Sequence, residues 1–145
     1  MAALTKLSIV TPSSVKFEGQ AEIVVAPGSA GDFGALAQHA PMLTTMRTGV
    51  LRATVVDAAA GEDAKATRRI EFAVDGGFVE VLPDKVIVLT DVALKPEEID
   101  LAAVRAEHKR ALDALAQKRG ADDARERHEV AWSEARIEVT HKPMA

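Results

Sequence analysis

Histidine, serine and turn-borne aspartate are the residues in this sequence that could transfer protons, attack a carbonyl or hold a metal. His39, His108, His128 and His141 lack the four-residue spacing, with a carboxylate nearby, that gathers a divalent ion on one helix face. His108 and His128 could face each other across a helical hairpin, but two polar residues on a solvated helix is the simpler reading. Ser13, Ser14, Ser29 and Ser133 lack the Gly-x-Ser-x-Gly setting that holds a nucleophile on a strained turn. The glycine-rich PGSAGDFG, 27–34, has no Gly-Lys-Ser/Thr ending and so cannot cradle phosphates as a P-loop does. Asp32 and Asp75 lie in turn-like sequence, where aspartate commonly bonds local backbone. Cysteine is absent, which removes thiolate chemistry, disulfides and Cys-ligated metals. No catalytic, cofactor-binding or metal-binding residue is expected.

The elements that carry these residues change rhythm along the chain. Up to residue 93 the pattern is short β segments with frequent breaks at Pro12, Gly19, Pro27 and Gly28. In GVLRATVVD, Leu51, Ala53 and Val55 alternate with Val50, Arg52, Thr54 and Val56. Ile70, Phe72 and Val74 share one face, Asp75-Gly76 reads as a hairpin turn, and Val79 and Val81 lie opposite Phe78 and Leu82. Residues 58–66 read as an exposed loop. Many short strands predict a sandwich or barrel, and a sandwich over 1–93 is preferred.

From residue 94 to 137 the spacing is helical. Lys95-Pro96-Glu97-Glu98 has the layout of a helix start, and Leu101, Val104, His108, Leu112 and Leu115 fall on one side. Gly120 ends the first helix and Asp122 caps a second, giving a helix–loop–helix hairpin. Residues 1–96 hold 9 Lys+Arg and 11 Asp+Glu, and residues 97–145 hold the same numbers in about half the length. The hairpin is therefore mostly solvated, with an alanine-rich seam that predicts weak docking, since alanine adds little at about 0.8 kcal/mol per buried methylene. Residues 138–145 read as a frayed tail.

Composition narrows the function classes. A net charge of −4 and no dense basic patch argue against nucleic acid. Aromatics at 3% are too few for a stacking platform. The N-terminus does not read as a signal peptide, and apolar runs fall short of the roughly 20 residues of a membrane span. Between the strands, Phe33, Leu36, Met42, Leu43 and Met46 exceed what a loop needs. They belong either to the core or to a contact surface, where aromatics and methionine are enriched.

PGSAGDFGALAQHAPMLTTMRTGVLR and FAVDGGFVEVLPDKVIVLTDVA resemble the two signature segments of the epsilon subunit of bacterial F-type ATP synthases, in the right order and with the helical hairpin after them. The resemblance covers essentially the whole chain and implies an antiparallel β-sandwich of about ten strands followed by a C-terminal antiparallel helical hairpin. It implies a non-catalytic rotor component in the central stalk, peripheral on the cytoplasmic face of the bacterial inner membrane, that couples the gamma subunit to the membrane c-ring. Carried over by position, Gly31, Asp32 and Phe33 would face the c-ring, and His39, Ala40, Pro41 and Met42 would face gamma. In some relatives the hairpin also brakes ATP hydrolysis by reaching the catalytic alpha and beta subunits. Arg105, Lys109, Arg110, Lys118 and Arg119 would supply its charge.

One departure concerns nucleotide. Some relatives hold ATP through Ile/Leu-Asp-x-x-Arg-Ala, whereas Leu101-Ala102-Ala103-Val104-Arg105-Ala106 puts Ala102 where the aspartate belongs. Asp100, two residues earlier, lies about 200° around the helix. No bound ATP is expected. The rival readings are an independent β-sandwich ligand-binding module and a small β-fold hydrolase or metal enzyme.

Overall fold

The computed structural model describes residues 3–57, 66–118 and 122–141. Its elements are β1 (Thr5–Val10), β2 (Val15–Gly28), β3 (Gly31–Leu36), β4 (Met42–Val56), β5 (Thr67–Val81), β6 (Lys85–Leu89) and β7 (Ala93–Leu94), then a 3-10 turn at Pro96–Glu98 and two helices, α1 (Leu101–Gln117) and α2 (Ala124–Thr140). The β-plus-α class stands, but about ten strands become seven among the described residues. The cause is length. β2, β4 and β5 have 14, 15 and 15 residues and run through positions that read as breaks, including Gly19 and Pro27.

These three strands serve both layers of the sandwich. One layer runs β3, the end of β2, the end of β4, the start of β5 and β7. The other runs the start of β4, the end of β5, β6, β1 and the start of β2. Pairing is not purely antiparallel as expected, because β1 and β6 run parallel from Lys6 opposite Lys85 to Val10 opposite Leu89. The β1–β2 pairing closes the path β1–β6–β5–β4–β2 into a ring. Between the layers lie Leu7, Ile9, Val24, Leu51, Val55, Phe72, Val79, Val81, Val86 and Val88, each at most 1% exposed. That is the inward half of the alternation read in β4 and β5.

Asp75-Gly76 is not a hairpin turn. β5 continues through it, and at this point its partner changes from β7 to β6. Gly76 and Gly77 have φ of 71° and 114°, so two residues without Cβ turn the strand between layers. A Cβ on Gly77 would stand 2.1 Å from the Leu89 carbonyl oxygen.

The hairpin also departs from expectation at its start. Lys95–Glu98 forms only the 3-10 turn, and Ile99 is extended (φ −111°, ψ 125°), so α1 begins at Leu101. Asp100 is its N-cap, with Oδ1 accepting from the Ala103 amide at 3.2 Å. Ala111, not Leu112, joins Val104 in the buried seam, and Leu112 is 44% exposed. The N-cap of α2 is Asp123 and not Asp122 as expected; Asp123 accepts from Arg127 instead of a cap amide, while Asp122, one residue earlier, accepts from the Ala124 amide at 3.1 Å. α2 runs to Thr140, beyond the expected end at 137, because Val139 is buried against the sheet. The loop expected at 58–66 lies outside the described residues except for Ala66, and the end of the tail lies outside them too.

Glu98 ties the turn to the sandwich. Its carboxylate accepts from the Lys95 amide at 2.8 Å and pairs with Lys16 at 3.5 Å. The Lys95 amide, assisted by the Lys16 charge and opposed by burial, lowers its pKa from the ordinary 4.5. A depressed carboxylate stabilises the fold above its ordinary range, and that contribution is lost as pH falls below about 4.5. With 41% of the side chain exposed, Glu98→Gln is expected to cost only about 0.5 kcal/mol at pH 7. The difference from wild type in urea melts should vanish on acidification.

Candidate protein-docking face

The outer faces of the two layers are treated differently. On the first, three successive cross-strand pairs of β4 and β5 are Thr48–Asp75, Val50–Ala73 and Arg52–Glu71. α2 lies along them. His128 Nε2 reaches Asp75 Oδ1 at 2.7 Å, Ala135 and Val139 pack with Trp132 and Ile99 over Val50 and Ala73, and Arg52 Nη2 reaches Glu138 at 2.7 Å. The spacing fits, since ten helical residues rise about 15 Å and four strand residues about 13 Å. This face is covered by the chain itself.

Among the described residues, nothing covers the outer face of the second layer. Register places Thr45, Phe78, Leu89 and Val10 in one cross-strand row, with Val15 beyond, and Leu43, Glu80, Ile87 and Ser8 in the next. Leu43 is 70% exposed, Val15 57%, Phe78 51% and Leu89 47%. A hollow of about 360 Å³ between Val10, Pro12, Gly77, Phe78 and Leu89 opens on it. Exposed apolar side chains gathered on one face in this way make it a candidate surface for another protein.

The segment from Phe33 to Met46 divides along this boundary. Met46 is buried, and Phe33 and Met42 pack against the core, whereas Leu36 and Leu43 are exposed. Met42, expected at a partner contact, therefore points inward, and its neighbour Leu43 carries the exposed side chain. A strand alternates faces at every residue, so an inward Met42 puts Leu43 on the outer face. His39 is half-buried with Nδ1 donating to the Ala40 carbonyl at 2.6 Å. Gln38, at φ 63°, donates its amide to the Pro83 carbonyl at 2.7 Å. These bonds fix His39, Ala40 and Pro41 at the end of β5, leading into β4 and the bare face.

Gly31, Asp32 and Phe33 sit at the β2–β3 tip. Arg47 holds it, bonding the Gly28 carbonyl at 2.8 Å through Nη1 and the Asp32 carboxylate through Nη2. Ser29 Oγ meets Thr45 Oγ1 at 2.7 Å. Gly31 and Asp32 are exposed, but Phe33 is half-buried beside Gly28. On α1, Arg105, Lys109 and Arg110 are exposed, and Lys118 pairs with Glu126 at 3.3 Å. Arg119 lies outside the described residues.

Chemistry is not assembled at any of the histidines. His108 faces Ser133, with 2.8 Å between Nδ1 and Oγ, and not His128. That serine is 1% exposed and donates to the Val130 carbonyl, so its oxygen cannot attack a substrate. Among the described residues no three His, Asp or Glu side chains are placed to share a metal. Trp132, on α2, is half-buried against the cluster of Val50 and Ala73, with the Arg136 guanidinium 5.1 Å from its ring centre. Among the described residues no helix is long and apolar enough to cross a membrane.

Comparison with known proteins identifies the family of the chain. Residues 4–96 match the family model of the ATP synthase delta/epsilon chain β-sandwich domain. The ATP synthase epsilon chain of Dehalococcoides mccartyi strain BAV1 is 39% identical over 80% of this chain and 76% of its own. That of Desulforamulus reducens is 36% identical over 81% and 82%. Two solved structures share the fold. A chain of the Euglena gracilis mitochondrial ATP synthase OSCP/F1/c-ring assembly has a TM-score of 0.78 at 18% identity, covering 96% of this chain and 82% of that one. A chain of the Tetrahymena thermophila mitochondrial ATP synthase central stalk and c-ring has a TM-score of 0.54 at 13% identity, covering 94% and 92%. With a family model spanning most of the sandwich and relatives aligned into the hairpin, the chain belongs to the ATP synthase delta/epsilon chain family.

Proposed function

We propose that this chain is a non-catalytic rotor subunit of an F-type ATP synthase, and that the bare face of the second layer is where the gamma subunit docks. The observation that carries the proposal is the asymmetry of the sandwich. The same β4 and β5 strands bear α2 on one outer face and exposed Leu43 and Phe78 on the other. A coupling subunit must adhere without turning anything over, and apolar complementarity suits that task better than a polar cleft. The β2–β3 tip, pinned by Arg47, is the rigid protrusion proposed to meet the c-ring. The chain then sits on the cytoplasmic side of the membrane, held there by its partners.

The hairpin in this reading is a regulatory arm without nucleotide. The Asp100 carboxylate is engaged with the Ala103 amide as a helix cap, and Ala102 offers no substitute. Exposed Arg105, Lys109 and Arg110 suit acidic surfaces on the catalytic subunits.

The test has two arms. A tagged full chain should retrieve gamma from detergent-solubilised membranes, and its failure to do so would refute the rotor assignment. A chain ending at Leu94, assembled into the synthase, should raise ATP hydrolysis. Unchanged hydrolysis would remove the regulatory arm while leaving the rotor role standing.

A further inference from the structure

The hollow on the bare face is not wholly apolar. Three polar residues, Thr11, Thr90 and Asp91, line it beside Phe78 and Leu89. Both threonines are buried and bonded within the chain. Thr11 Oγ1 donates to the Ser14 carbonyl at 3.1 Å, and Thr90 Oγ1 to the Val92 carbonyl at 3.2 Å. Asp91, in the bend between β6 and β7, is exposed, and its carboxylate has no hydrogen bond or ion pair among the described residues.

Nor does the chain bring a cation to it, since the lining of the hollow holds no lysine or arginine among the described residues. Lys6 and Lys85 stand opposite one another on the same outer face, four residues along β1 and β6 from Val10 and Leu89, or about 13 Å away. Lys6 is already paired with Glu18 at 2.9 Å. The hollow is also preformed. Its floor is fixed by the parallel β1–β6 pairing, with the Thr90 amide donating to the Val10 carbonyl at 3.1 Å. A site that exists before its partner arrives loses little on binding.

We propose that the hollow receives one arginine side chain of the docked partner, its alkyl stem against Val10, Phe78 and Leu89 and its guanidinium on the Asp91 carboxylate. This inference rests on the reading of the bare face as the gamma-docking surface, and it names the chemistry by which gamma is recognised there. A partner that is only apolar would cover Asp91 and leave its charge unpaired, which costs affinity. A lysine would answer the charge as a strongly hydrated point, whereas guanidinium is less hydrated and pairs with a carboxylate through two bonds. It is also drawn to an aromatic ring such as Phe78. At about 360 Å³ the hollow has room for one long side chain.

Titration calorimetry of the full chain with isolated gamma, at several salt concentrations, tests the pairing. Asp91→Asn should bind gamma about tenfold more weakly, between the small effect of a rim charge and the larger one of a buried pair. Its affinity should also depend less on salt, and its thermal melt should coincide with wild type. Asp91→Glu should keep most of the affinity. Asp113→Asn removes the same charge from an exposed position on α1 and should bind as wild type does. In the wild-type complex one gamma arginine should be shielded from phenylglyoxal, and replacing it with alanine should add no further loss to Asp91→Asn. Wild-type affinity in Asp91→Asn, an equal loss in Asp113→Asn, or the absence of a shielded arginine overturns the proposal. Each of those results leaves gamma bound and the rotor reading standing. A wild-type chain that does not bind gamma overturns both.

Discussion

Gly77→Ala is expected to cost the fold about 3 kcal/mol or more, enough to remove much of the stability of a domain that has roughly 5–15 kcal/mol in total. Two penalties combine. At φ 114° an L-residue is strained, at about 1–3 kcal/mol. The added Cβ would also meet the Leu89 carbonyl oxygen at 2.1 Å and the Thr90 Cα at 3.0 Å, both backbone atoms that cannot swing away. Gly31→Ala separates the two effects. Gly31 has φ 135°, and a Cβ added there would meet nothing within 4 Å, so it should lose only the strain, about 1–2 kcal/mol. Urea melts followed by circular dichroism measure both. Equal losses at the two positions would show that β5 and β6 do not approach closely at this corner.

Leu43→Asp and Phe78→Asp should each weaken gamma binding about 100-fold or more while leaving the fold intact. Both residues are more than half exposed, so the change in stability should stay within about 0.5 kcal/mol. Burying a carboxylate in the centre of an apolar interface removes contact and adds an unpaired charge, and central interface positions carry losses of about 2–4 kcal/mol. Titration calorimetry with isolated gamma, beside a thermal melt of each variant, checks the two halves. Met42→Asp should differ by damaging both quantities, because Met42 packs against the core. If Leu43→Asp binds gamma as wild type does, the bare face is not the docking surface.

The contrast between Met42 and Leu43 shows how far the sequence can be read. Alternation in β4 and β5 is legible because its cause is local: each residue's face follows from its neighbours'. The face of Met42 is not legible, since it depends on where β4 enters the sheet, and a loop anchored to Pro83 decides that. The ends of strands are hidden for a related reason. Gly19, Pro27 and Gly76 look like breaks one by one, yet pairing on both sides carries β2 and β5 through them. The hairpin's alanine seam follows from composition, but no periodicity could reveal that His128 would meet Asp75, 53 residues away. His108 likewise finds Ser133, a polar match across the seam that spacing alone does not select.

β4 and β5 pass from beneath α2 to the bare face in one register, from Val56 opposite Thr67 to Met42 opposite Val81, interrupted only at the corner between the Thr48–Asp75 and Met46–Gly77 pairs. The ladder keeps one register across the corner at Gly76 and Gly77, so the same two strands line both outer faces. Leu43 and Phe78 on the outer face of one layer and Val50 and Ala73 beneath α2 on the other therefore share a single pair of strands, and a change in the bend at the corner would alter the angle between the two surfaces.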